Sequence, residues 1–215
     1  MKVLITGGKG QLARSLLETV PAEVQLLIPE EADFDLTAPE KMQAVIMRDT
    51  PLDCIINTAA YTAVDPAESD RESAYAINAE GPTQLAGLCA AHAVRLVQVS
   101  TDYVFDGNKT TAYTEQDEPN PINVYGKSKL AGEKVLAATD IPYIILRTSW
   151  VYGARGKNFM LTMLQLAQER DELKIVNDQA GAPTWSRMIA EATSQILAQS
   201  LGSDAKHINN LEQYS

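Results

Sequence analysis

The sequence is short of cysteine, histidine, long apolar runs and positive charge, and each shortage closes off a class of protein. Two cysteines in 215 residues, Cys54 and Cys89, are too few for a disulfide framework. Both fall on apolar stretches and are expected in the core. The two histidines, His92 and His207, lie far apart, and no Cys/His cluster has zinc-ligand spacing. A Mg²⁺ ion held by surface acids would leave no pattern to read, and no metal ligand is assigned. No apolar run reaches the roughly 18 residues of a membrane span. Residues 1–7 enter a strand pattern at once, without the apolar core of a signal peptide. Lys and Arg number 18 against 28 Asp and Glu, for a formal net charge of −10 and a pI near 4.7. That balance argues against a nucleic-acid-binding face. Repeats and low-complexity tracts are missing too. What is present is 45% hydrophobic and 21% charged, the make-up of an ordinary folded protein. The expectation is a cytoplasmic chain of one domain, or one and part of a second, with neither nucleic acid nor membrane as partner.

Short apolar runs alternate with helical stretches. Strand-length runs lie at 3–5, 24–28, 54–56, 95–99 and 143–146. Helical patterns lie at 10–19, 39–48, 73–91 and 123–138. This rhythm predicts βαβ units, hence an α/β fold with a parallel, doubly wound, Rossmann-like sheet and right-handed crossovers. Leu12, Leu16 and Leu17 mark the apolar face of the first helix. Met42, Met47, Met160 and Met163 read as core fill. After Trp150, helices are expected at 157–169 and 185–201. A strand at 173–176 should rejoin the sheet, and a further strand should open at 206–208. The division is a dinucleotide-binding domain over 1–150 and a partial substrate domain over 151–215.

Residues 6–13 read TGGKGQLA, between the first strand and first helix. Gly7 permits a tight turn. Gly10 lets the backbone approach a pyrophosphate on the helix N-terminus, and Ala13 is the third small position. The spacing departs from GxGxxG, and Lys9 lacks the Ser or Thr that a P-loop frame requires. Glu30 stands about 20 residues on, at the distance of a ribose-binding acid, or is a surface acid. Asp35 either caps the second helix or faces the adenine. No Arg follows the second strand to pair a 2′-phosphate, so NADH suits the site at least as well as NADPH.

Tyr125 and Lys129 are four apart on a predicted helix and share a face. A nearby ammonium lowers a phenol's pKa, which suits proton transfer to or from a carbonyl oxygen. Thr101 ends the fourth strand, where ligands bind in open α/β sheets. Each feature alone is commonplace: a Tyr–Lys pair is usually a solvated face, and Ser-Thr-Asp a turn. Together with the glycine loop they point to one site. Arg147, Arg155, Lys157 and Arg187 are candidates for an anionic substrate's pyrophosphate.

The residues carry a resemblance. The glycine loop, NTAAYTAVD at 57–65, STDYVFDG at 100–107, YGKSKLAGE at 125–133, RTSWVYG at 147–153 and DQAGAPT at 178–184 follow in the right order. The chain resembles the dTDP-4-dehydrorhamnose reductases of the extended short-chain dehydrogenase/reductase superfamily. The resemblance implies NADPH- or NADH-dependent reduction of the 4-keto group of a dTDP-sugar, dTDP-4-dehydro-β-L-rhamnose, to give dTDP-L-rhamnose. It implies that Tyr125 protonates the C4 oxygen, that Lys129 holds the nicotinamide ribose and depresses the tyrosine pKa, and that Thr101 orients the carbonyl. Gly10, Gln11 and Leu12 would meet the pyrophosphate, with Gly7 in the same cofactor-binding loop, and Asp35 and Leu36 would sit near the adenine. Ala59, Ala60, Tyr61 and Thr62 would line the cofactor cleft. Asp102, Tyr103, Phe105 and Trp150 would lie on the sugar side. The family continues past Ser215 with segments that carry part of the nucleotide site and of the dimer contact, so the resemblance implies a shortened chain, and a homodimer is compatible with it. A 4,6-dehydratase would need a Glu where Tyr103 stands. The alternatives left are another sugar-nucleotide reductase or epimerase, and a non-catalytic dinucleotide-binding regulatory subunit.

Overall fold

The computed structural model describes residues 1–202; the strand expected at 206–208, with His207, lies outside the described residues. Strands β1 (Lys2–Thr6), β2 (Gln25–Leu27), β3 (Cys54–Asn57), β4 (Arg95–Thr101) and β5 (Tyr143–Thr148) form a parallel sheet in the order β2-β1-β3-β4-β5. Its register pairs Leu4 with Ile55, Ile55 with Leu96 and Leu96 with Tyr143. The helices are α1 (Gln11–Thr19), α2 (Pro39–Asp49), α3 (Val64–Ala67), α4 (Arg71–Tyr75), α5 (Gly81–His92), α6 (Val124–Ala137), α7 (Phe159–Glu169) and α8 (Ser186–Gly202). A two-stranded ribbon pairs β6 (Val151–Tyr152) with β7 (Thr184–Trp185). The chain leaves β1 in one direction to β2 and in the other to β3, so the switch point lies between the ends of β1 and β3.

Alternation along the strands feeds two cores. Leu4, Ile55 and Leu96 pack against Met42, Val45 and Ile46 of α2 and Leu85 and Cys89 of α5. Val3, Ile5, Ile56 and Val97 pack with Cys54 against Leu12 and Leu16 of α1 and Ile189 and Leu197 of α8. Both faces are therefore covered, as a parallel sheet requires. Burying a side chain such as Leu16 is worth about 1.5–3 kcal/mol.

Some details differ from the sequence reading. Leu17 turns outward, and of the four methionines only Met42 is core; Met163 is half-buried, while Met47 and Met160 are exposed. The segment 173–176 forms no strand, and Ile175 and Val176 are 53% and 68% exposed. A strand is held by its ladder, and this short run has none; β5 pairs on one side only. The helix expected over 73–91 is interrupted by a π-helical turn, Ala76–Glu80. Pro82 lacks the N–H that would continue the α ladder, and the widened turn presents Asn78 inward, 2% exposed.

Candidate active site

A cleft of about 590 Å³ opens at the switch point. Its polar floor joins the three central strands. Thr6 Oγ1 donates to Asn57 Oδ1 at 2.5 Å, and Asn57 Nδ2 donates to Gln98 Oε1 at 2.9 Å. Gly7, at φ +66°, turns the chain from β1 into α1, and a Cβ there would lie 3.0 Å from the backbone nitrogen of Ala59. A Cβ on Gly8 would run into Ile28. Ala13 is fully buried beneath the loop. The loop thus leaves bare backbone at the N-terminus of α1, the arrangement that receives a pyrophosphate.

Gly7, Gly10, Gln11, Leu12, Asp35, Leu36, Ala59, Ala60 and Thr62 all line the cleft, as do Tyr125 and Lys129. Tyr61 does not; its ring packs with Ala67, Ala74, Val124 and Tyr125. The backbone of Tyr61 is pinned from both sides by Asn78, whose Oδ1 accepts from its N–H at 2.9 Å and whose Nδ2 donates to its carbonyl at 3.0 Å. Asn78 Nδ2 also reaches Ser128 Oγ on α6 at 3.0 Å. Asn78 went unnoticed in the sequence, although a polar residue three positions before Gly81-Pro82 in a helical run was the available signal. Asp35 accepts from the N–H and hydroxyl of Thr37, which hold its carboxyl below the usual range. Glu30 lines the cleft and pairs with Lys9 at 3.2 Å.

Helix α6 carries the Tyr–Lys pair. Asn123 caps it, accepting from Gly126 N–H at 2.7 Å, and Glu68 Oε1 accepts from Val124 N–H at 2.8 Å. Gly126 is required because a Cβ would collide with the carbonyl of Tyr103. Tyr125 is 9% exposed, its ring edge-on to Tyr103 at 5.5 Å. Burial pushes the Tyr125 phenol up to about 12, against the opposing pull of a hydrogen bond with Thr101. Lys129 is 4% exposed and donates from Nζ to the carbonyl of Val99 at 2.7 Å. Burial brings its ammonium down to about 8, with the Glu133 carboxylate opposing. Tyr125 is thus raised rather than depressed as the Lys129 pairing led one to expect: burial of the phenol is the largest effect, and the ammonium's hydrogen bond goes to the Val99 carbonyl. The phenol is therefore fully protonated at neutral pH.

Thr101 caps the 3₁₀ turn Asp102–Val104, accepting from Tyr103 N–H at 3.2 Å and donating to Asp102 Oδ1 at 3.1 Å. Asp102 Oδ2 accepts from Ser149 at 2.9 Å. Tyr103 covers Tyr125 and does not line the cleft. Phe105, expected on the sugar side, is instead packed between the Tyr113 ring at 4.2 Å and the Arg147 guanidinium at 5.0 Å. Trp150 holds a left-handed backbone, φ +45°, and is 43% exposed, its indole against Gly181. Of the four expected phosphate-binding cations, Lys157 lines the cleft. The others are paired: Arg147 with Glu133, Arg155 with Glu18, Arg187 with Glu191. Among the described residues no group of three or more His, Cys, Asp or Glu could hold a metal, and no helix is long and apolar enough to cross a membrane.

The model of the RmlD substrate binding domain matches residues 1–215. The chain belongs to that family. It is 49% identical over 201 residues to a dTDP-4-dehydrorhamnose reductase of Burkholderia thailandensis, covering 94% of this chain and 67% of that protein. The solved reductase from Clostridium acetobutylicum superposes with a TM-score of 0.88 at 40% identity, covering 94% of this chain and 71% of that one. The Bacillus anthracis reductase, solved in complex with NADP, gives 0.88 at 39% identity, covering 93% and 71%. The chain thus spans about two thirds of the length of these RmlD relatives. The family resemblance read from the motifs agrees with all three.

Proposed function

We propose that the chain reduces the 4-keto group of dTDP-4-dehydro-β-L-rhamnose to give dTDP-L-rhamnose, with residues 1–150 holding a nicotinamide dinucleotide and 151–215 contributing to the sugar side. The observation that carries this reading is the meeting of a protonated, buried Tyr125 with Thr101 and Lys129 beside a glycine cradle. Relatives named as reductases for this substrate support it. The cradle suits a dinucleotide: Gly7, Gly8 and Gly10 keep the loop free of side chains, and Gly10, Gln11 and Leu12 at the start of α1 line the cleft. Bound there, reduced nicotinamide supplies hydride to C4 of the sugar.

The chain's own residues handle the proton. To orient the C4 oxygen toward Tyr125, the Thr101 hydroxyl turns its one proton from Asp102 to that oxygen. The Tyr125 phenol donates its proton to that oxygen as negative charge develops on it. The Lys129 ammonium, anchored by Val99, offers its remaining donors to the nicotinamide ribose. The adenosine end is lined by Glu30, Glu31 and Asp35, with Lys9 engaged by Glu30. A 2′-phosphate placed there meets carboxylates, so NADH is the preferred donor.

The test is loss of reduced nicotinamide absorbance with this dTDP-keto-sugar and NADH or NADPH in turn. Turnover favouring NADH by about tenfold, some 1.4 kcal/mol, is expected. Tight cofactor binding without turnover would replace the reductase reading with the regulatory-subunit one.

A further inference from the structure

Behind the Tyr–Lys pair lies a buried carboxylate that the reaction as described does not use. Glu133, one helical turn beyond Lys129 on α6, is 4% exposed. Its Oε1 accepts from Ser100 Oγ at 2.5 Å and from Arg147 Nε at 3.1 Å, and its Oε2 accepts from Arg147 Nη2 at 2.6 Å. Ser100 sits between Val99, whose carbonyl holds Lys129, and Thr101. Arg147 lies opposite Ser100 on β5. One side chain therefore ties the helix that carries Tyr125 and Lys129 to the strand ends that carry their partners. The guanidinium also lies over the ring of Phe105, which stacks on Tyr113, so the layer reaches out to the loop at 106–120.

Burying a carboxylate costs several kcal/mol unless it is paired, and an ion pair this buried is a poor way to gain stability alone. Lys129 is an ammonium in the same dry layer without a directly bonded anion; its hydrogen-bond partner is the neutral carbonyl of Val99. We propose that Glu133 is a positioning residue of the reductase reaction, clamping α6 to the ends of β4 and β5 and serving as the counter-charge of Lys129. This rests on the reading of Tyr125 and Lys129 as the reacting pair. The other titratable groups around Lys129 are Tyr125 on its own helix, Asp102 after β4 and Arg147 on β5. The flanking helical segments present Asp65, Glu68, Asp70, Arg71, Glu72 and Glu80, all exposed. Of these neighbours Glu133 alone bears on the Lys129 ammonium, and it favours the charged form.

The experiment is a ¹³C titration of the labelled lysine side chains, with Lys129 assigned through Lys129→Met, run beside steady-state turnover. In the wild type Lys129 is expected to titrate near 8. Glu133→Gln, which keeps the shape and removes the charge, should lower that value by about one unit. The alkaline limb of kcat should shift down by the same amount. Arg147→Met cuts the same clamp but leaves the carboxylate, and should shift Lys129 upward. A purely structural role predicts the two variants to behave alike. Equal shifts, or none, in folded variants overturn the proposal. If Glu133→Gln fails to fold, the direction seen in Arg147→Met still decides. Opposite shifts with no turnover in the wild type would uphold Glu133 as counter-charge and overturn the substrate reading alone.

Discussion

At the scale of single residues, the site depends on burial more than on proximity. Tyr125 and Lys129 are four apart, and the sequence spacing made the pair legible. The direction of the tyrosine's shift was not legible, because it depends on how much water the fold removes. The structure keeps the phenol protonated up to about 12, which suits a proton donor. Tyr125→Phe should lower kcat by about 10²–10⁴-fold, the range for a lost general acid, and leave the cofactor dissociation constant unchanged. Stopped-flow turnover and fluorescence titration of the cofactor check the two halves. A kcat within threefold of wild type would remove Tyr125 from the proton-donor role. Lys129 sets the pH range. Its charged form is present below about 8 and is lost above it, so kcat should fall as pH rises through about 8. The phenol, protonated up to about 12, adds no alkaline limb near 8. The family resemblance placed Phe105 on the sugar side, and its positive charge made Arg147 a candidate for a phosphate. Neither reveals that a neighbouring carboxylate and a stacked ring already occupy both.

At the scale of elements, strands and helices were readable from period and turn chemistry, and the exceptions have causes. The run at 173–176 has the composition of a strand but no ladder partner. The helix at 73–91 carries Gly81-Pro82 in its middle, a readable interruption, yet the wide turn it produces is a property of the backbone. Helix α6 depends on its first turn. Asn123→Ala removes the acceptor of the Gly126 N–H and should cost about 1 kcal/mol. For a chain of this size that corresponds to a fall in Tm of about 2–4 °C, which calorimetry would register. The polar floor Thr6–Asn57–Gln98 constrains the sheet in another way. Slipping β3 by one residue would bury unpaired amides as well as turn Ile55 and Ile56 to the wrong faces.

At the scale of the whole molecule, four buried groups shape the response to alkali. Lys129 is lowered from 10.5 to about 8 in the folded state. Between those values the unfolded chain binds more protons, so this group makes stability rise with pH. Cys54 and Cys89 are raised from 9.0 to about 12, and Tyr125 from 10.0 to about 12. There the folded chain binds more protons, and stability falls as pH climbs. From pH 8 to 9 only the lysine acts; above 9 the two thiols outweigh it. These four groups place a maximum near pH 9, and urea midpoints measured between pH 7 and 11 should trace it. A steady rise through pH 10 would contradict the burial of the thiols.

The same two cysteines also keep time. Each sits in a different face of the sheet, Cys54 on β3 against α1 and α8, Cys89 on α5 against α2. A thiol reagent can reach neither without an opening event. The rates at which the two are modified therefore report separately how often each side of the sheet comes apart. Equal rates would mean the molecule opens as one unit, and unequal rates would name the layer that yields first.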